Sequence, residues 1–236
     1  MKVNKRTLFS HFQLGNAHCV LCDARCHGNT PLCDACRQDL ITGFRACARC
    51  ALPLHASQDD LMCGQCQSIA PKYRKTYSFA LYTPPLDRMI QQLKYQQKLH
   101  YARLLGNLMA KDIIKRQLDI PDLLMPVPLH PQRLRERGYN QALELARPVA
   151  KILGVVLDIR SCRRIKFTQE QTGLKAKQRR SNVDGAFQVT GAIEGKRIAI
   201  VDDVMTTGST VNELAKQLMK SGATSVDVWV CGRAVN

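Results

Sequence analysis

The sequence predicts an α/β protein in which a largely parallel sheet carries helices on both faces and is preceded by a small cysteine-rich module. Three observations lead there. After Pro71, short aromatic or aliphatic runs alternate with segments of helical apolar spacing, the pattern of a doubly wound sheet. Nine of the eleven cysteines fall within the first 66 residues. Charge divides in the same way: residues 1–70 hold 7 basic and 5 acidic side chains, net +2, and residues 71–236 hold 28 and 14, net +14. The expected division is a cysteine-rich domain over residues 1–70 and an α/β domain over residues 71–236, meeting near Ala70-Pro71.

The front cysteines come as four C-x-x-C pairs, Cys19/Cys22, Cys33/Cys36, Cys47/Cys50 and Cys63/Cys66, separated by 10, 10 and 12 residues. A C-x-x-C turn aims two thiolates at one point, half of a tetrahedral zinc site, so eight thiolates supply two sites. Disulfides closed within each pair would barely cross-link the segment. Sequential pairing (19/22 with 33/36, 47/50 with 63/66) gives two successive zinc ribbons, and interleaved pairing gives a cross-brace; the short local loops favour the sequential order. Cys26 and His27 are spare candidates. All-thiolate sites leave no position for a substrate water, so these zincs are expected to be structural.

In the body, Tyr77–Tyr82 reads as a strand by its period-two aromatic pattern. Pro84-Pro85 opens a helix whose Leu86, Met89, Ile90 and Leu93 share one face. A helix follows over about Tyr101–Lys115, a strand over Leu123–Pro128, a helix over about Asn140–Leu153 and a strand near Val155–Arg160. Beyond a long polar loop come strands at Ala186–Val189 and Ile198–Val201, a helix at Thr210–Ser221 and a final strand at Val226–Val230. No apolar stretch approaches the ~18–20 residues of a membrane-spanning helix. The basic first residues lack an apolar signal core, so a cytoplasmic location without membrane insertion is expected.

In open parallel sheets the chemistry sits in loops leaving the carboxyl ends of strands. Ile198-Ala-Ile-Val-Asp-Asp-Val-Met-Thr-Thr-Gly-Ser-Thr210 is such an exit. A buried apolar strand ends in two carboxylates, Asp202 and Asp203. The turn Thr206, Thr207, Gly208, Ser209 and Thr210 then offers backbone N–H groups and a helix N-terminus to a phosphate. The acidic pair would repel a phosphate and suits sugar hydroxyls or a Mg2+-bound ligand. A phosphate and a diol a few ångströms apart describe ribose 5-phosphate. In order, these residues resemble the phosphoribosyl pyrophosphate (PRPP) signature of type I phosphoribosyltransferases at every position.

Two basic loops flank that exit. Met125–Gln141 carries Arg133, Arg135 and Arg137, suited to bidentate phosphate contact. Residues 160–180 carry eight basic side chains against Glu170 alone, among them Arg163, Arg164, Lys175, Lys177, Arg179 and Arg180.

Taken together, the ordered C-x-x-C pairs, Leu93-Lys94-Tyr95, PVPLHPQRLRERGYNQ, T-x-x-Q-x-x-L with Arg180 and Asn182, and IAIVDDVMTTGST resemble the ComF/GntX family over residues 17–234. The resemblance implies a double zinc ribbon joined to a type I phosphoribosyltransferase-like domain that works in competence, DNA uptake or DNA utilisation. It implies Asp202 and Asp203 as the catalytic pair, with Thr206–Thr210 holding ribose phosphate and Mg2+ accompanying PRPP. It also implies a pyrophosphate loop containing Arg133, Arg137 and Asn140, and a flexible loop over Arg163–Asn182. Single-stranded DNA is the expected macromolecular partner, with DNA-uptake helicase or recombination proteins beside it. The alternative is an active phosphoribosyltransferase with a nucleobase or nucleotide acceptor, although no segment identifies a base. Tyr82, Tyr95, Tyr101 and Tyr139 are candidates for base stacking, with burial in the core as the competing role.

Overall fold

The computed structural model describes residues 17–26, 30–40, 43–54, 61–167 and 183–235. Two compact units divide at Leu40/Ile41.

In the first unit the N–H of Asp23 donates to the Cys19 carbonyl at 2.9 Å, and that of Cys19 to the Ala24 carbonyl at 2.8 Å. The turn is closed by a bridge between His18 and Arg25. Cys33 leads into helix α1 (Asp34–Leu40), and Leu32 and Leu40 are buried beside it.

The second unit opens with the same device. The Ala51 N–H donates to the Cys47 carbonyl, Cys47 donates to Leu52, and Ala46 bridges to Pro53. Helix α2 (Gly64–Ser68) follows Cys63. These cysteines do not form a separate layer. Cys47, Cys50, Cys63 and Cys66 share one continuous buried cluster with Tyr73, Met205 and Val211, so this ribbon packs with the body although composition changes near residue 70.

The body runs β1 (Thr76–Leu81), α3 (Leu86–Tyr95), α4 (Leu99–Lys115), β2 (Leu123–Pro126), α5 (Pro131–Arg137), α6 (Gln141–Leu153) and β3 (Val156–Leu157). It continues with β4 (Cys162–Arg164), β5 (Phe187–Val189), β6 (Arg197–Met205), α7 (Ser209–Lys220) and β7 (Ser225–Arg233). Five strands form a parallel sheet in the order β1-β7-β6-β2-β3. Ile198–Val201 and Val226–Val230 are buried on both faces at its centre, as a sheet covered by helices requires. The α/β fold with a parallel sheet is therefore as expected.

Local details differ from the sequence expectation. The strand expected near Val155–Arg160 is shortened to β3 (Val156–Leu157), and a second short strand, β4 (Cys162–Arg164), follows where a loop is expected. The second pairs antiparallel with β5, outside the main sheet. The arginine-rich loop contains a helix, α5, started by Pro131 and by the His130 ring, which accepts from the Gln132 N–H at 3.2 Å. Strand β6 continues through both carboxylates to Met205 because β7 continues opposite it, pairing Asp202 with Val230 and Val204 with Gly232. No helix among the described residues is long and apolar enough to cross a membrane.

The crossing of α4 on α6 is tight. A Cβ at Gly106 would lie 2.5 Å from the Leu145 carbonyl oxygen and would overlap Pro148, so only glycine admits this approach. Gly106→Ala is expected to cost about 1–3 kcal/mol of stability through overpacking. Urea denaturation measures this, and a midpoint equal to that of the parent chain would contradict the close crossing.

Candidate functional site

The cysteines gather as two clusters, Cys19/Cys22/Cys33/Cys36 and Cys47/Cys50/Cys63/Cys66, with the sulfurs of each within 4.8 Å of one another. Pairing is therefore sequential, and the cross-brace does not occur. The Cys22–Cys33 and Cys50–Cys63 sulfur separations are both 3.6 Å. A tetrahedral zinc with ~2.3 Å bonds needs edges of ~3.8 Å, so the donor sets fit zinc, while a disulfide would need ~2.05 Å. Burial pushes the Cys47 thiol up, but N–H groups of Cys50, Cys63 and Arg49 outweigh it and bring it down to about 7. A thiol so disposed is easily held as the thiolate a metal requires. Cys26 is buried and lies outside both clusters; His27 lies outside the described residues.

At the carboxyl end of β6, Asp203 is buried and Asp202 half-buried. The Asp202 carboxylate accepts the Asp203 N–H at 2.9 Å, and the Asp203 carboxylate accepts that of Val204 at 2.7 Å. The other Asp203 oxygen meets Lys94 Nζ at 2.8 Å. Burial, reinforced by the charge on Asp203, pushes Asp202 up to about 7 against the pull of Lys94 and Arg164. Burial pulls Lys94 down, yet the Asp203 carboxylate prevails and holds it above its ordinary value, so it stays charged. The pair thus presents one neutralised carboxylate beside one that exchanges its proton near neutrality.

The turn after β6 is shaped by glycine. Gly208 has φ +75°, a backbone conformation that favours glycine, while a Cβ there would meet only the movable end of the Met205 side chain at 2.6 Å. Gly208 caps the twelve-residue α7. Thr207 Oγ1 and Ser209 Oγ lie 2.9 Å apart, and Thr207 Oγ1 accepts the Ser209 N–H at 3.4 Å. A cavity of about 230 Å3 lies against Thr207, Gly208, Ser209 and Asn212, with Tyr73 and Arg233 on its far wall. A larger cavity, about 330 Å3, opens beside Phe44 and Thr76 at the start of β1 and contains none of the residues expected to form the site.

The basic residues divide. Arg133 and Arg137 lie on α5 with their guanidinium carbons 5.3 Å from the centre of the Phe167 ring and 5.8 Å from that of Tyr95. The Asn140 amide caps α6, accepting the N–H groups of Ala142 and Leu143, and donates to the Val127 carbonyl at 3.0 Å. Arg163 grips Gln188 across the β4–β5 pair. Arg164 lies over the Phe187 ring. Burial pulls its pKa down, while Asp202 opposes that fall and Arg133 adds to it. Lys175, Lys177, Arg179, Arg180 and Asn182 lie outside the described residues.

Comparison with known proteins agrees with both halves of this picture. Residues 14–67 match the double zinc ribbon domain family and residues 140–231 the phosphoribosyl transferase domain family. The chain is 35% identical over 227 residues to Competence protein F of Haemophilus influenzae, covering 93% of this chain and 98% of that protein. It is 34% identical over 208 residues to DNA utilization protein YhgH of Salmonella typhimurium, covering 86% and 91%. The chain belongs to the ComF/GntX family. Competence protein ComFC of Bacillus subtilis is similar at 25% identity over 227 residues.

In this ComF/GntX chain two side chains take places at the site that the sequence alone does not assign them. Lys94, in the Leu93-Lys94-Tyr95 segment that carries part of the family resemblance, reaches Asp203 from the end of α3. Arg233, 5% exposed, ends β7. It donates through Nε to the Cys50 carbonyl at 2.8 Å, and through Nη1 to the carbonyls of Met205, Thr206 and Ala234 at 3.0, 2.6 and 2.6 Å. One guanidinium therefore joins the second cysteine cluster to the turn after β6. A charged residue closing an otherwise apolar strand was the only hint.

Proposed function

We propose that this protein binds PRPP, or a ribose phosphate, with Mg2+ at the end of β6 and holds single-stranded DNA beside it in the cytoplasm, as a DNA-uptake or DNA-utilisation protein. DNA-uptake helicase or recombination proteins are its partners in that role. The observation that carries the reading is the direct passage from the Asp202/Asp203 pair into a glycine-capped turn at the start of α7. N–H groups of Thr206–Thr210 would take the phosphate, helped by the positive end of the helix. Asp202 and Asp203 would take the ribose hydroxyls and form the catalytic pair if transfer occurs. Lys94 offsets one of their charges, so an anionic ligand meets less repulsion than two free carboxylates would impose. Mg2+, when bound, would screen the pyrophosphate. Arg133 and Arg137, with the basic residues 163–180, would supply cations for pyrophosphate or for a strand, and a domain of net +14 favours such capture. The names of the relatives, competence and DNA utilization, support the DNA half of the reading.

Calorimetric titration of Mg2+ and PRPP into the zinc-loaded chain, with and without a short single strand, tests it. Saturable heat is expected, and its absence would remove the PRPP assignment. Pyrophosphate released when DNA or a nucleobase is supplied would make the protein a working transferase.

A further inference from the structure

We infer that Tyr95 and Phe167, each packed against an arginine of α5, form a two-part stacking platform for the bases of single-stranded DNA beside the carboxylate pair. This rests on the strand-binding reading above and names the surface that performs it. Tyr95 directly follows Lys94, the residue that touches Asp203, and it is 61% exposed. The helix end that carries it is anchored, because the Tyr139 hydroxyl donates to the Leu93 carbonyl and ties the end of α3 to the corner between α5 and α6. Phe167 is 42% exposed, and its ring meets that of His130 edge-on, 5.3 Å between centres.

The arginines that lie over these rings, Arg137 and Arg133, are four residues apart. They therefore project from one side of α5, about 6 Å from each other along its axis. A single exposed aromatic would carry no such meaning. Here the same unit occurs twice in a row: a flat apolar ring open to solvent with a cation against it. That is the complement of a nucleotide, one base face and one phosphate. Of the other candidate tyrosines, Tyr101 is buried, the Tyr139 hydroxyl is engaged, and Tyr82 is half-buried beyond the end of β1. A duplex hides its base faces in its own stack, so the platform selects unpaired strands.

Fluorescence anisotropy with a labelled short oligothymidine, repeated across a salt series, tests the platform. Tyr95→Ala and Phe167→Ala should each weaken binding about tenfold while the salt slope is unchanged, because stacking releases no counterions. Arg137→Gln should instead flatten the slope by about 0.7. Tyr95→Trp should retain affinity, and an abasic strand should no longer distinguish Tyr95→Ala from the parent. Unchanged affinity in both alanine variants would overturn the platform and leave strand binding standing. A parent chain that binds no single strand even at ~50 mM salt would remove the strand reading itself and the platform with it. Equal affinity for the duplex form would also overturn the platform.

Discussion

Asp202→Asn combined with Asp203→Asn is expected to lower the proposed affinity for Mg2+-bound PRPP by about 100-fold or more. Each carboxylate lost removes charge-assisted contacts worth about 1.5–3 kcal/mol to a hydroxylated or metal-bound ligand, and two such losses compound. Calorimetry reads this directly, and unchanged affinity would move the ligand away from β6. The single variants separate the roles. Asp203→Asn strands the Lys94 ammonium and should also destabilise the chain, since Lys94 then keeps its burial without its partner. Asp202→Asn should do the opposite in alkali. The folded-state pKa of Asp202 lies near 7 against an ordinary 3.8, so between those values the folded chain holds a proton that the unfolded chain has released. Stability from this group is therefore greatest below pH ~4 and is lost as pH rises to ~7. Asp202→Asn should abolish that portion of the slope, and its melting temperature should exceed that of the parent most clearly above pH 7. Equal pH profiles for the two proteins would show that Asp202 is not held in this state.

Arg233→Met is expected to be the most damaging single substitution away from the carboxylates. Methionine fills similar space without donors, leaving the carbonyls of Cys50, Thr206 and Ala234 without the guanidinium, while that of Met205 keeps the Ala234 N–H. Unmet acceptors of this kind cost about 1–3 kcal/mol each, so a total of about 3 kcal/mol or more is expected. Arg233→Lys should recover part of it, since an ammonium donates from one point and cannot span the same carbonyls. Urea denaturation of both variants measures the effect. A loss below about 1 kcal/mol for Arg233→Met would mean that water replaces the guanidinium at little cost.

Much of this was legible in the chain. Four C-x-x-C pairs announce metal sites because the ligand geometry is local, and short loops select sequential pairing for the same reason. The turn at Thr206–Thr210 was legible because strand, carboxylates, glycine and helix start follow one another directly. What was hidden depends on partners distant in sequence. Strand β6 runs past Asp203 because Gly232 and Arg233 lie opposite its end, and β5 joins β4 because Arg163 faces Gln188. Neither fact leaves a periodic trace. The partners of Lys94 and Arg233 are hidden similarly, since a charge beside an apolar run looks like a solvated end until the fold closes over it. Asn140, which the resemblance places in the pyrophosphate loop, also has its amide engaged in starting α6, a local role its sequence position just before an apolar helical run makes legible.

The two ribbons, alike in their paired C-x-x-C pattern, are unequal under mutation. Cys19, Cys22, Cys33 and Cys36 belong to a unit that closes on itself by Leu40, so a substitution there is a local injury. Cys47, Cys50, Cys63 and Cys66 are part of the wall against which Tyr73, Met205 and Val211 pack, and the Cys50 carbonyl is a strut of the turn after β6. Descendants of this chain could discard the first metal and keep the sheet. Discarding the second would require them to rebuild the core at the same time, so the second quartet should be the last cysteines such a lineage loses.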